Sequence, residues 1–186
     1  EGTYIMNAKD LCMIDHIPEL LAAGVDSLKL EGRAKSSYYV AVVTNAYRSA
    51  VDAYLQQPEG FVLPEWIREE VYKVSHRGYC TGFFFGKPEA GQRYTDNSYD
   101  RSFDVIAIAD DWRDGMLYVT QRNRFFAEDT VELLAPERQP ITIPLNGNLF
   151  DETGERITVA NHAMMACAFP CPVEVTKGTI VRKRAE

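Results

Sequence analysis

Residues 25–43 read VDSLKLEGRAKSSYYVAVV, and the change of pattern inside this stretch decides the fold of the amino-terminal part. Apolar and polar side chains alternate over residues 25–30, which predicts a β-strand. Apolar and aromatic side chains then recur at steps of three and four, which predicts a helix from about residue 35 to residue 56. A strand therefore leads through a short polar link into a long helix.

A second strand and a second helix are predicted before this stretch. Residues 4–6 are a short apolar run, and Pro18 begins a predicted helix that ends at Gly24. Strand, helix, strand and helix with short links are typical of parallel β/α units. Two units cannot close a barrel, so we expect residues 1–57 to be a βαβα piece of a larger β/α barrel. An unpaired strand edge on such a piece favours self-association.

The rest of the chain predicts a linker and a second domain. The turn sequence QPEG, followed by a short helix that begins at Pro64, predicts a linker helix and loop over residues 58–98. Beyond Arg101, alternating segments separated by glycine and proline predict roughly five to seven short strands, with a hairpin turn at residues 110–115. A small all-β barrel over residues 99–186 removes the exposed strand edges. The predicted fold class is therefore α+β.

Composition and charge limit the possible functions. With 46% hydrophobic and 25% charged residues, the chain has the composition of a globular protein rather than a disordered tail or a coiled coil. No apolar run is long enough for a membrane helix, and no secretory signal is expected at the start. With a net charge of −7, the chain as a whole does not attract nucleic acid, so any such binding needs a local patch, and DNA is not expected as a partner. Four cysteines in 186 residues do not predict a disulfide scaffold, so we expect a cytoplasmic protein with reduced thiols.

Glu31, Arg33 and Lys35 form a polar cluster between the predicted strand and the predicted long helix. In β/α barrels, side chains at the carboxyl ends of strands line the active site, and a helix start offers free amides to an anion. We predict that Glu31 acts as an acid, base or ligand, and that Arg33 and Lys35 hold a carboxylate or phosphate. The alternative is an ion pair between Glu31 and Arg33 at an ordinary helix start.

Cys12 lies just after the first predicted strand, where a thiol near a helix start can act as a nucleophile or a metal ligand. The alternative is a small buried apolar residue. Cys167 and Cys171 lack the tight paired spacing of zinc sites. The sequence contains no Cys-x-x-Cys pair, glycine-rich phosphate loop, Gly-x-Ser-x-Gly elbow or His-Glu-x-x-His motif, so no complete catalytic motif of these kinds is present.

Arg122, Arg124 and Phe125 are predicted to bind substrate at the end of a strand. Guanidinium groups beside aromatic rings bind single-stranded nucleic acid through phosphate contacts and stacking. The alternative is an ordinary loop at the rim of the barrel, which the neighbouring Glu128 and Asp129 and the negative net charge favour.

Short motifs spread over nearly the whole chain resemble one known family. They are NAKDLC at 7–12, HIPEL at 16–20, GVDSLKLEGRAKSSYYVA at 24–41, YRSAVD at 47–52, SHRGY at 75–79, TGF at 81–83, FGKP at 85–88 and QRNRF at 121–125. Together they closely resemble the collagenase-like peptidases of family U32. One departure is Ala34, where the family usually has methionine.

The resemblance implies a parent protein in which a β/α barrel enzyme is followed by a small β-barrel of the type found in translation factors. It implies a peptidase of undetermined catalytic type. Some bacterial relatives instead support hydroxylation of transfer or ribosomal RNA, with prephenate dependence in the transfer-RNA branch, and carry an iron–sulfur cluster held by four cysteines. Cys12 resembles the last of these ligands, and the other three are expected upstream of Glu1. The chain alone is therefore expected to hold no cluster.

Three functions are open on this basis. The leading hypothesis is the carboxyl-terminal part of a peptidase, which acts on proteins or peptides. The alternatives are part of an RNA-hydroxylation enzyme, which acts on structured RNA, and a non-catalytic binding or structural module. In both enzymes the small barrel acts as an accessory or substrate-recognition domain. We expect the chain alone to be inactive, because no pair of nucleophile and base can be assembled from it.

Overall fold

The computed structural model describes residues 7–87, 92, 99 and 101–185, and the chain divides into two compact units between Ser102 and Phe103. We call the part before this boundary unit 1 and the part after it unit 2. The fold is mixed α and β: the described helices all lie in unit 1, and unit 2 contains a curled antiparallel sheet. None of the described helices is both long enough and apolar enough to cross a membrane.

Unit 1 packs its helices around one apolar core and pairs two short strands in parallel. The core lies where Ala46 and Ala50 of one helix meet Ile67 and Val71 of another. Small side chains at such a crossing allow the helices to approach closely. In chain order the elements are β1 (Asp10–Leu11), a 3-10 turn (Ile14–His16), α1 (Ile17–Ala22), α2 (Ser37–Gln56), α3 (Glu65–Tyr72) and β2 (Tyr79–Cys80).

The long helix α2 confirms the prediction made for residues 35–56. Its apolar side chains recur every three or four residues because one face packs on the core. Ser36 caps the helix, since its hydroxyl accepts the backbone N–H of Tyr39 at 3.2 Å.

Replacing Ser36 with alanine is expected to lower the free energy of unfolding of unit 1 by about 1 kcal/mol, because the Tyr39 amide loses its acceptor. Urea denaturation followed by circular dichroism at 222 nm measures this loss, since the described helices lie in unit 1. Ser37→Ala is the matched control inside the helix, where alanine is the better helix former. Equal stabilities of the two variants would contradict the capping role.

The strand predicted at residues 25–30 is wrong, because this segment has no regular secondary structure. Leu28 does pack against the core of unit 1, whereas Leu30 is exposed. Alternation alone does not make a strand: its backbone needs a hydrogen-bonded neighbour, and no described strand pairs with this segment. The strand predicted at residues 4–6 lies outside the described residues.

Unit 2 is built from short strands, and most of them belong to one antiparallel sheet. The strand order in this sheet is β7-β6-β11-β3-β4-β10-β8, and β5 pairs separately with β9. The strands are β3 (Phe103–Arg113), β4 (Met116–Gln121), β5 (Phe125–Phe126), β6 (Thr130–Leu134), β7 (Ile141–Pro144), β8 (Phe150–Asp151), β9 (Val159–Ala160), β10 (Ala166–Pro170) and β11 (Ile180–Arg184).

The hairpin between β3 and β4 turns later than predicted. Because β3 continues to Arg113, the turn consists of Asp114 and Gly115 rather than all of residues 110–115. Both residues have positive φ, 52° and 76°. This is the requirement of a type I′ turn, for which an Asp-Gly pair is well suited.

Besides its apolar core, unit 2 contains two ion pairs with buried cations. Arg182 is fully buried, and its Nε and Nη2 donate to Glu132 Oε2 at 3.0 and 2.6 Å. Its guanidinium also lies 5.0 Å from the centre of the Phe103 ring. Lys183 Nζ donates to Asp129 Oδ2 at 3.0 Å. Charges removed from water in this way depend on their hydrogen-bonded partners.

Candidate functional site

Unit 1 contains a cleft of about 560 Å³, which we call the unit 1 cleft. Its walls come from the segment after β1, from residues 25–31, from α2 and from β2, so it joins parts of the chain that are distant in sequence. The charged or reactive side chains that line it include Asp10, Cys12, Glu31, Lys35, Tyr39, Tyr47, Arg77 and Tyr79. Three of the residues predicted from the sequence, Cys12, Glu31 and Lys35, are thus brought together.

Cys12 is held from two sides. Its backbone N–H donates to the carbonyl of Cys80 at 3.0 Å, which extends the pairing of β1 with β2. Its Sγ lies 3.7 Å from the hydroxyl of Tyr47, and that hydroxyl also accepts the backbone N–H of Met13 at 2.9 Å. Tyr47 thereby links the Cys12 segment to α2.

The environment keeps the Cys12 thiol protonated. Burial raises the pKa of Cys12, and the nearby Asp15 carboxylate adds to this effect, against smaller opposing contributions from hydrogen bonds with Ile14 and Tyr47. Burial also raises the pKa of the Tyr47 hydroxyl. At neutral pH the pair is therefore a thiol beside a phenol, without the thiolate that attacks a carbonyl.

Lys35 and Arg77 are among the cations that line the cleft, together with Lys29. Lys35 Nζ donates to the carbonyl of Ser75 at 3.2 Å and lies 5.1 Å from the centre of the Tyr39 ring. Arg77 binds Asp10 through both its backbone N–H and Nη2, each at 3.1 Å from a carboxylate oxygen. The Nε of Arg77 is buried without a hydrogen-bond partner among the described residues.

Glu31 and Arg33 differ in their position relative to the cleft. Glu31 lines the cleft, whereas the exposed Arg33 is not among the lining residues. The Glu31 Oε1 accepts the backbone N–H of Arg33 at 3.0 Å. This contact closes the turn before α2 and is made by the main chain of Arg33, not by its guanidinium.

The substrate-binding residues predicted in unit 2 fall into two groups. Arg122 and Arg124 are exposed, and the Arg124 guanidinium lies 5.4 Å from the centre of the Phe126 ring. Phe125 requires a correction: it is fully buried in the core of unit 2, because β5 turns its ring inward to pack. A buried ring cannot stack on a substrate, and the partly exposed Phe126 is the aromatic residue beside Arg124.

The cysteines of unit 2 are buried packing residues. Cys167 and Cys171 are both free thiols in the core, and burial raises the pKa of Cys167 to about 11. Over residues 7–87, 92, 99 and 101–185, no group of three His, Cys, Asp or Glu side chains is placed to hold a metal ion. Among the described cysteines, Cys12 lines the open unit 1 cleft, so it is the candidate for a single ligand of an iron–sulfur cluster.

Sequence reasoning missed Tyr47 and Arg77 as site residues. Tyr47 belongs to the apolar face of α2, and nothing in the helical period distinguishes it from a core residue. Arg77 lies 67 positions from its partner Asp10. The segment SHR at residues 75–77, just before β2, was a local signal, but the partner of Arg77 becomes visible only after β1 and β2 pair.

The comparisons with known proteins agree on a family. The chain matches the models for Peptidase family U32 over residues 1–94 and for the Peptidase family U32 C-terminal domain over residues 101–182. The tRNA hydroxylation protein P1 of Bacillus subtilis is 34% identical over an alignment of 187 positions, which covers 98% of this chain and 44% of that protein. An uncharacterized protease of Methanocaldococcus jannaschii is 40% identical over 113 residues, 61% of this chain and 26% of that protein.

A crystal structure of the C-terminal domain of a Geobacillus thermoleovorans U32 peptidase matches 43% of this chain and 99% of its own, with a TM-score of 0.41 and 24% identity. The chain spans less than half the length of the two curated relatives. Since the two family models together match both units, the chain belongs to peptidase family U32.

Proposed function

We propose that this chain is part of a protein that hydroxylates tRNA, and that the unit 1 cleft belongs to its reaction site. The observation that carries the proposal is the similarity to a tRNA hydroxylation protein over 98% of the chain. That similarity extends through both units, whereas the similarity to the Methanocaldococcus protease covers 61% of the chain.

The surroundings of Cys12 favour this function over that of a cysteine peptidase. A peptidase thiol needs a lowered pKa and a neighbouring base, which is commonly histidine. The pKa of the Cys12 thiol is raised instead, and its polar neighbour is the Tyr47 hydroxyl. Since burial also raises the pKa of Tyr47, that hydroxyl does not act as a base near pH 7. A bound metal ion deprotonates a coordinating thiol by itself, whereas a nucleophile depends on a neighbouring base, so a metal ligand or a packing residue suits this position better than a nucleophile.

Within the proposed reaction site, each cleft residue has a separate task. Cys12 supplies one of four thiolates to an iron–sulfur cluster, and the other three come from outside this chain. Such a cluster, when bound, supplies electron transfer. Lys35 holds an anionic group of the substrate by charge, and Glu31 accepts or donates a proton at the open side of the cleft.

We propose that unit 2 is an accessory domain, a small barrel of the translation-factor type that contacts the tRNA. Arg122 and Arg124 are exposed on the segment between β4 and β5, where guanidinium groups can reach phosphates. Unit 1 completes a β/α barrel together with the rest of a longer protein. A tRNA substrate implies a cytoplasmic location.

A chimeric protein tests the proposal. The region of the Bacillus subtilis tRNA hydroxylation protein P1 that aligns with this chain is replaced by these 186 residues and expressed in a strain without that protein. We expect hydroxylated nucleosides to return, as measured by mass spectrometry of digested tRNA. Lys35→Met or Glu31→Gln is expected to lower their amount at least about tenfold, the effect of losing a charge clamp or a proton donor.

Lys177→Met is the matched control, because Lys177 is exposed in unit 2 and does not line the cleft. Western blotting of each variant controls for protein level. A chimera that accumulates normally yet leaves tRNA unhydroxylated would refute the proposal. Gelatin hydrolysis by the purified chimera, abolished by Cys12→Ser, would establish the peptidase instead.

A further inference from the structure

Three consecutive phenylalanines are exposed in the turn that follows β2. Phe83, Phe84 and Phe85 retain 78%, 63% and 60% of their accessible surface. They stand between Gly82 and Gly86, whose φ angles of 58° and 103° form a tight turn that other residues adopt with strain. We call residues 83–85 the phenylalanine loop. Large apolar side chains exposed side by side are uncommon on a protein surface and mark a contact site.

The phenylalanine loop borders the unit 1 cleft. Phe84 is one of the lining residues, together with Cys12. Phe85 is anchored, since its ring centre lies 4.4 Å from that of His16 with the planes tilted by 42°. Leu11 lies next to Gly82 at the start of the loop. A Cβ added to this glycine would be in contact with the Leu11 Cδ1, at 3.4 Å. The Phe85 ring is thus held against the fold, Phe84 lines the cleft, and the exposed Phe83 directly precedes Phe84 in the loop.

The charges near the loop suit a nucleic acid. The cleft beside the loop is lined by three cations, Lys29, Lys35 and Arg77, against two carboxylates, Asp10 and Glu31, although the whole chain carries a net charge of −7. Lys87 is exposed directly after the loop. Aromatic rings on which bases stack, next to cations that contact phosphates, are the elements of single-stranded nucleic-acid binding.

The geometry points to a stacking platform for RNA: we propose that the phenylalanine loop stacks on unpaired bases of the RNA substrate beside the unit 1 cleft. This inference rests on the proposed function and adds how the substrate is presented. A base that undergoes chemistry must leave its stack before it enters a pocket, and its neighbours then need new stacking partners. Phe83 and Phe84 supply two such faces at the edge of the cleft that contains Cys12.

Binding of an RNA stem-loop with unpaired loop bases to the 186-residue chain tests the inference. The RNA carries 2-aminopurine in its loop, so quenching of fluorescence reports stacking while anisotropy reports affinity. Phe83→Ala and Phe84→Ala are each expected to weaken binding about tenfold and to abolish part of the quenching. Phe84→Trp is expected to keep both, because the indole ring also stacks. Phe84→Leu is expected to behave like alanine, since leucine is apolar but has no flat face.

Val62→Ala is the matched control, because Val62 is 81% exposed in unit 1 and does not line the cleft. If Phe84→Leu binds RNA as well as the wild type, or if the alanine variants quench normally, the stacking role is excluded and the loop is a protein contact. The chimera separates the two proposals. If chimeras that carry Phe83→Ala or Phe84→Ala still hydroxylate tRNA and bind RNA with unchanged affinity, this inference is overturned and the proposed function stands. If the chimera does not hydroxylate tRNA but its RNA binding still depends on the Phe83 and Phe84 rings, the proposed reaction is overturned and this inference stands.

Discussion

Glu132→Ala is expected to lower the free energy of unfolding of unit 2 by about 3–5 kcal/mol, because it leaves the fully buried Arg182 without this carboxylate. The expected loss is a large part of the stability of a small domain. Urea denaturation followed by the fluorescence of Trp112 measures it, since Trp112 packs against the core of unit 2. A Trp66→Phe background removes the signal from unit 1.

The double variant Glu132→Leu with Arg182→Met distinguishes a broken ion pair from a packing defect. Replacing both charges by apolar side chains of similar size is expected to restore most of the stability, because no unpaired charge stays buried. Glu174→Ala is the matched control at an exposed position and is expected to change stability by less than about 0.5 kcal/mol. A Glu132→Ala protein that unfolds at the wild-type urea concentration would show that the pair contributes nothing.

Cys12→Ser in the chimera is expected to abolish bound iron almost completely. With four thiolate ligands proposed for the cluster, loss of one opens the cluster to solvent and oxidation. The chimera is purified without oxygen, and iron and acid-labile sulfide are quantified together with visible absorption. We expect a brown wild-type protein and a colourless variant.

Cys80→Ser is the matched control, because Cys80 is next to Cys12 in the paired strands yet is not a proposed ligand. It is expected to retain iron at the wild-type level. Full iron and sulfide content in Cys12→Ser would exclude the ligand role. Cys12 would then be a packing thiol, as its raised pKa also permits.

The elements predicted correctly are those whose signal is local. Helix α2 was predictable because one helical period continues over its whole length and Ser36 caps its start. The longer strands of unit 2 were predictable because turn residues separate them, although its described residues form nine strands rather than five to seven, and the β3–β4 turn is only Asp114-Gly115. The prediction of a strand at residues 25–30 was wrong, because an alternating pattern describes side chains and not the backbone partner that a strand requires.

The candidate site shows the same division. The sequence by itself determined which residue types follow β1 and precede α2, and therefore that Cys12, Glu31 and Lys35 are candidates. Only the tertiary structure decided that these three line one cleft, that Phe125 is buried, and that Arg77 binds Asp10 across 67 positions. It also placed the Tyr47 hydroxyl beside Cys12. Periodicity and capping act within a few residues, whereas these contacts arise only when β1 pairs with β2 and α2 packs against the core, because distant segments have no defined separation until then.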